Sequence, residues 1–286
     1  MALSGMLPVF AIAAPVAVAA IARPLLPASA TASASLIPDP RSLIPSVQER
    51  GNTDYNGRFI WVRLKYEGYR GGFGRGRGGW DECNGPLGWA HDYPCAEQNI
   101  TRVLREVTKV LPGVIGGNVY GFGDPELHKY PIAYLSEPGD WQLTDEDAKN
   151  FGAYLLKGGF LIVDDFPDDG RALPNFLAQM KQALPELEPI QLDSTHAVFQ
   201  TFFEIPSLNN LYGSDSGFGR SRGGPVFFAY FVENNPAKRM LAVANFRNDL
   251  GENWEAAEQG YSFIGDGRTE ESYKFGINYI VWGLIH

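Results

Sequence analysis

From Arg58 to His286 the apolar positions alternate between two periods, short strand-like runs and longer stretches of helical spacing. Phe59 to Tyr66 carries the aromatic and β-branched residues of a first strand. Ile100, Val103, Leu104, Val107 and Val110 then recur at helical spacing from Ala96 and stop before Pro112-Gly113. Strands are expected at Asn118–Phe122 and Tyr130–Leu135. Thr144, with Asp147 three residues on, opens a helix that buries Phe151, Leu155 and Leu156 and ends at Gly158-Gly159. The run Phe160-Leu-Ile-Val163 follows at once and leads into Asp164 and Asp165, as in a buried parallel strand with an acidic tip. A helix at Ala172–Leu184, a short strand at Glu188–Leu192, a hairpin of Val226–Val232 with Met240–Asn245, and a helix over Glu270–Ile285 complete the pattern. Strands alternating with helices predict an α/β fold, a three-layer and mostly parallel sheet with a late β-hairpin.

The chain before this domain has a different composition. Residues 1–34 hold the uncharged stretch Leu7–Ala22 and a small-residue segment ending at Ala34, which read as an export signal or as an N-terminal membrane anchor. Residues 35–57, with Pro38, Pro40 and Pro45, read as a linker or a segment draped over the domain, leaving 58–286 as one α/β domain. The expected location is periplasmic or at the cell surface. A net charge of −9 argues against nucleic acid as a partner, because phosphate binding needs clustered Lys and Arg. In an exported chain the pair Cys83 and Cys95 is expected to form a disulfide. His91 and Asp92 lie between them, but the four residues match no standard zinc spacing, so no metal or other cofactor is expected there.

The candidate chemistry starts at the strand tip. In open α/β sheets ligands bind beyond the carboxyl ends of the strands, which places Asp164 and Asp165, with Asp168 and Asp169 after them, where a site belongs. Carboxylates there can bind sugar hydroxyls, hold a divalent cation or act as a general base with His196 and Asp193, or they can cap neighbouring helices. Glu67 ends the first strand and joins the ligand-binding candidates. A repeated octapeptide, Gly72–Gly79 and Gly217–Gly224, puts Arg75, Arg77, Arg220 and Arg222 in two glycine-rich loops that could form a positive collar over the acidic floor. Trp80, Trp89, Tyr93, Trp141, Tyr212, Phe218 and Trp254 fall in expected loops, either as stacking surfaces or as core covers.

Several of these segments together carry a resemblance: Tyr130-Pro-Ile-Ala-Tyr-Leu135, Leu155-Leu-Lys-Gly-Gly-Phe-Leu-Ile-Val-Asp-Asp-Phe166, Asp193 to His196, Asn248-Asp-Leu-Gly251 with Trp254, and Phe275-Gly-Ile-Asn278. Over Arg58–His286 the chain resembles the family known as domain of unknown function 4159. The resemblance implies a class I glutamine amidotransferase-like fold, a flavodoxin-like sheet with helices on both faces, and a place in the bacterial cell envelope, with no established reaction. The amidotransferase nucleophile, a Cys on a Gly-x-Cys-x-Gly elbow, has no counterpart here, and no Gly-x-Ser-x-Gly replaces it. Glutaminase chemistry is therefore not expected. The expected role is that of a domain binding a protein partner or a small-molecule or sugar ligand. The alternatives are a hydrolase of carbohydrate or peptide using Asp164, Asp165 and His196, and a structural subunit of an envelope assembly.

Overall fold

The computed structural model describes residues 51–66, 88–166, 168–210, 224–259 and 268–286, all within the compact unit Pro45–His286. In chain order the elements are β1 (Phe59–Lys65), α1 (Cys95–Val107), β2 (Pro112–Gly121), β3 (Ile132–Ser136), α2 (Asp145–Leu156), β4 (Phe160–Phe166), α3 (Ala172–Ala183), β5 (Ile190–Leu192), β6 (Val226–Phe231), β7 (Met240–Phe246), α4 (Leu250–Gln259) and α5 (Arg268–Ile285). The sheet has seven strands in the order β2-β1-β3-β4-β7-β6-β5. β2, β1, β3, β4 and β7 run parallel, whereas β6 pairs antiparallel with both β7 and β5. The order reverses at β1, since the chain first steps outward to β2 and then returns to β3, which creates the switch point where α/β sheets bind ligands.

Alternation along the strands divides the core in two. On one face Ile60, Val62, Leu64, Leu161 and Val163 meet Phe151 and Leu155 of α2 and Phe176 and Met180 of α3. On the other, Phe59, Trp61, Ile132, Phe160 and Ile162 meet Ile100 and Leu104 of α1, Leu250 and Trp254 of α4, and Phe275 and Ile280 of α5. Burying each such side chain contributes about 1.5–3 kcal/mol, so two packed faces hold the strand tips in place. This is the three-layer α/β fold with a late hairpin that the periodicity predicts, with helices on both faces. Thr144 and Asp147 form the expected capping box at α2, with Asp147 N donating to Thr144 Oγ1 at 3.1 Å.

α4 corrects the expectation that Trp254 lies in a loop. Its first turn is capped by carboxylates from two places. Asp164 Oδ2 accepts from Leu250 N (2.7 Å) and Gly251 N (2.9 Å), and Asp249 Oδ1 accepts from Glu252 N (2.9 Å). These bonds satisfy donors that every helix start leaves free.

The end of the expected linker lies against β2. The Asn52 side chain donates to Val119 O (2.8 Å) and accepts from Val119 N (2.9 Å), as a neighbouring strand would. Covering an edge in this way blunts its tendency to pair with other chains. Among the described residues no helix is long and apolar enough to cross a membrane. The expected export signal lies outside the described residues, as do both octapeptides except Gly224.

Candidate functional site

The site grows from an irregularity in β4. Val163 pairs with Ala244 and Phe166 with Phe246, so two residues, Asp164 and Asp165, stand opposite Asn245 alone. Asn245 Nδ2 donates to Val163 O at 2.9 Å across this bulge. An extra residue in one strand re-aims the side chains around it, and Asp165 takes the left-handed backbone conformation, with φ 55°. Asp164 consequently points to the α4 face, where it accepts from Tyr134 Oη (3.0 Å) as well as from the α4 amides. Asp165 turns instead toward the β1–α1 connection, where its Oδ2 lies 2.8 Å from His91 Nδ1.

His91 is held from below by a buried arginine. Arg63, on β1, donates through Nη1 to the carbonyls of His91 (2.7 Å) and Trp89 (3.0 Å), and its Nε pairs with Glu97 Oε1 of α1. The guanidinium also lies over the Tyr134 ring, 4.8 Å from its centre. Both members of the Arg63–Glu97 pair are fully buried, so the pair fixes the loop at a position where water cannot compete.

Around His91 the acids accumulate. Glu137, at the end of β3, lies 3.5 Å from His91 Nδ1 through Oε1, and its Oε2 accepts from Gly88 N. Asp92 Oδ1 is 3.7 Å from His91 Nε2. Asp92 is 0 % exposed, and among the described residues its carboxylate meets no amide, hydroxyl or imidazole donor within hydrogen-bond reach, only the carboxyl of Glu255. One oxygen each of Asp164 and Asp249 is likewise buried without a donor among them. Asp92 and Glu137 share the left-handed backbone of Asp165, with φ 61° and 46°. Such conformations cost about 1–3 kcal/mol each in non-glycine residues and gather at functional sites. Two sets of side chains bring their ligand atoms within 4.8 Å of one another, His91 with Asp92 and Asp165, and Asp92 with Glu252 and Glu255.

The electrostatics follow from burial and crowding. Burial pushes the Asp164 carboxyl up to about 7, against the pull of the Gly251 amide. Burial, with repulsion from Asp165, raises Glu137 to about 8. Burial holds Asp92 and Asp249 well above the usual carboxylate range, with Asp165 adding repulsion at both. Burial opposes a charge on His91, but Asp92, Asp165 and Asp249 outweigh it and push the imidazole up to about 12. A cationic imidazole thus sits among acids that burial keeps from ionising freely.

The residues singled out in the sequence divide between this site and elsewhere. Asp164 and Asp165 occupy it, in different roles, one tied to α4 and one to His91. Asp168 and Asp169 do not join them: Asp168 pairs with Arg247 (2.9 Å), and Asp169 caps α3 through the amides of Arg171 (2.8 Å) and Ala172 (2.9 Å). His196 requires a correction. Its Nδ1 accepts from Val198 N (3.2 Å), and its ring packs on Phe231 and Trp282. Phe231 pairs with Met240 at the start of β7, so His196 stands at the opposite end of the sheet from Asp164 and takes no part in a site with it. Asp193, exposed, closes a turn by accepting from Thr195 N at 2.8 Å. Glu67, Arg75, Arg77, Arg220, Arg222 and Cys83 lie outside the described residues, and Cys95 is buried at the first position of α1. Of the aromatic candidates, Tyr93, Trp141 and Trp254 are core residues and Trp89 is partly buried, while Trp80, Tyr212 and Phe218 lie outside the described residues. His91, Asp92, Glu137, Asp249, Glu252 and Glu255 are the residues that the sequence did not mark as a set.

Residues 84–284 match the family described as Domain of unknown function (DUF4159), a span that contains every residue of the site except Arg63. No curated protein matches the chain.

Proposed function

We propose that this chain, which belongs to the Domain of unknown function (DUF4159) family, is an exported ligand-binding protein that takes a divalent cation through His91, Asp92 and Asp165. One observation carries the reading: Asp92 is completely buried, has no amide, hydroxyl or imidazole donor for either oxygen among the described residues, and lies against the Glu255 carboxyl beside a His–Asp pair. A buried carboxylate without donors is costly unless a cation neutralises it. On binding the cation His91 would give up the Nε2 proton and present that nitrogen, while Asp165 orients the ring through Nδ1–H, the arrangement by which outer carboxylates fix metal-bound imidazoles. A mixed nitrogen and oxygen set suits Mn2+ or Zn2+ better than Ca2+ or Mg2+, which favour oxygen ligands alone. Thermal unfolding of the chelator-treated full chain tests the proposal. A cation at 100 times its Kd stabilises by about 2.7 kcal/mol, so Mn2+ or Zn2+ should raise the midpoint by several degrees. No shift with any of the four ions overturns the reading. Export rests on the apolar segment Leu7–Ala22 and the small residues before Ala34, and fractionation of cells expressing the full chain checks it.

A second reading, hydrolysis of a carbohydrate or peptide, draws on Glu137. With a pKa near 8, raised by burial and Asp165, it keeps its proton at neutral pH and could act as a general acid. Turnover of a glycoside or peptide panel, lost in Glu137→Gln, tests this; no turnover with any member sinks it.

A further inference from the structure

We infer that the centre takes two cations, not one, with Asp92 as the carboxylate that bridges them. The inference rests on the cation reading above and extends it from a single ion to a pair. Two ligand sets meet at this point of the fold, and Asp92 is the residue common to both. On one side are His91 and Asp165; on the other are Glu252 and Glu255 of α4. Their spacing of three residues places the two glutamates on one face of the helix.

Asp92 is placed as a bridge requires. It stands three residues before the start of α1, and its carbonyl accepts from Ala96 N at 2.9 Å. Its side chain is sandwiched between the His91 ring, 3.7 Å from Oδ1, and the first turn of α4. Gly251 leaves room there, because a Cβ at that position would lie 2.5 Å from Asp92 Oδ2. Asp92 Oδ1 faces His91, its carboxyl is hydrogen-bonded to that of Glu255 on α4, and neither oxygen has an amide, hydroxyl or imidazole donor among the described residues. Carboxylates oriented in this way bridge paired ions about 3.5–4 Å apart. Two divalent cations also match the formal charge of the four carboxylates that would ligate them, Asp92, Asp165, Glu252 and Glu255. Glu252 is the one partly exposed ligand, which puts the α4 position nearer to solvent.

Mn2+ binding to the chelator-treated full chain tests this, with the amount bound measured by elemental analysis and the spin state by electron paramagnetic resonance. The expected result is two Mn2+ per chain with an exchange-coupled spectrum, since a shared carboxylate couples the spins. Glu252→Gln should bind one Mn2+ and give an uncoupled spectrum. One Mn2+ in the wild-type chain, or two without coupling, overturns the bridged pair while leaving the single site standing. No bound Mn2+, and no Zn2+ in a parallel titration, overturns both. Retention of two coupled ions in Glu252→Gln also overturns the assignment. The wild-type measurement decides without any substitution, so a variant that fails to fold does not shelter the proposal.

Discussion

Asp165 Oδ2 lies 2.8 Å from His91 Nδ1, across 74 residues of sequence. The contact joins the tip of β4 to the loop between β1 and α1, and it exists because both segments depart from regular structure. β4 carries a bulge, and the loop is tied down by the Arg63 guanidinium. Asp92, Glu137 and Asp165 all hold positive φ around one histidine. The fold thus concentrates strain and unsolvated charge at one point of the switch region, at a cost in stability.

Asp92→Asn should stabilise the cation-free protein. The amide keeps the shape but removes a charge that burial disfavours. A gain of ~1 kcal/mol corresponds to a rise of roughly 2–4 °C in a domain of this size. Differential scanning calorimetry in chelator measures it, and the same variant should lose the shift caused by Mn2+. A lower midpoint in chelator would count against Asp92 as a residue kept for function.

Arg63→Met should destabilise strongly. It leaves Glu97 buried without its partner and frees the carbonyls of Trp89 and His91. Breaking a buried pair from one side costs about 3–5 kcal/mol. Urea denaturation should show a loss in this range, whereas a change below ~1 kcal/mol would mean that the loop holds itself.

Asp164→Ala removes the cap on Leu250 and Gly251 and the acceptor of Tyr134 Oη. A lost cap costs about 0.5–2 kcal/mol. The loss should be local, with faster hydrogen exchange at the start of α4 and little change in α2. Uniform loss of protection would show that Asp164 serves the whole core.

Stability without a cation should fall as pH rises from about 4 to 8. Asp164 and Glu137 have folded pKa values of about 7 and 8, above their unfolded values. The native state therefore binds more protons than the unfolded chain across this window, and the stabilisation present below pH 4 is lost as the groups ionise. His91, raised to about 12, has the same sign, with its contribution lost only above neutral pH. Urea midpoints at pH 5 and pH 8 in chelator check this; a higher midpoint at pH 8 would reverse the assignment.

His196→Ala should leave Mn2+ affinity unchanged within twofold, because the ring packs on Phe231 and Trp282 at the other end of the sheet. Titration calorimetry provides the comparison. A tenfold loss would require a contact that the described residues do not make.

The strands, apart from the first half of β2 where Pro112-Gly113 reads as a break, and four of the five helices are legible from period and capping alone. Phe160–Val163 is an uninterrupted apolar run, and Thr144 with Asp147 marks the start of α2 locally. α4 escaped because its apolar signal is only Leu250 and Trp254 amid polar residues, and part of its cap comes from Asp164, 86 residues away. The same nonlocality hid half the site. Asp164 and Asp165 were visible as a strand tip, but His91 and Asp92 sit between two cysteines that offered a simpler explanation. His196 is a histidine close to Asp193 in sequence, yet only topology decides which end of the sheet a residue reaches. An i, i+3 pair of glutamates such as Glu252 and Glu255 is ordinary on any exposed helix, and it acquires meaning only once α4 is docked.

That docking gives the acid at the end of β4 a mechanical meaning. Asp164 works as a peg from which the first turn of α4 hangs, and the turn in turn carries Glu252 and Glu255 over Asp92. An ion seated between strand and helix would clamp this bracket from its open side, closing a loop of contacts that runs from sheet to helix and back. Occupancy should therefore be felt as stiffness along one helix, with slower amide exchange in α4 and α2 left as it was.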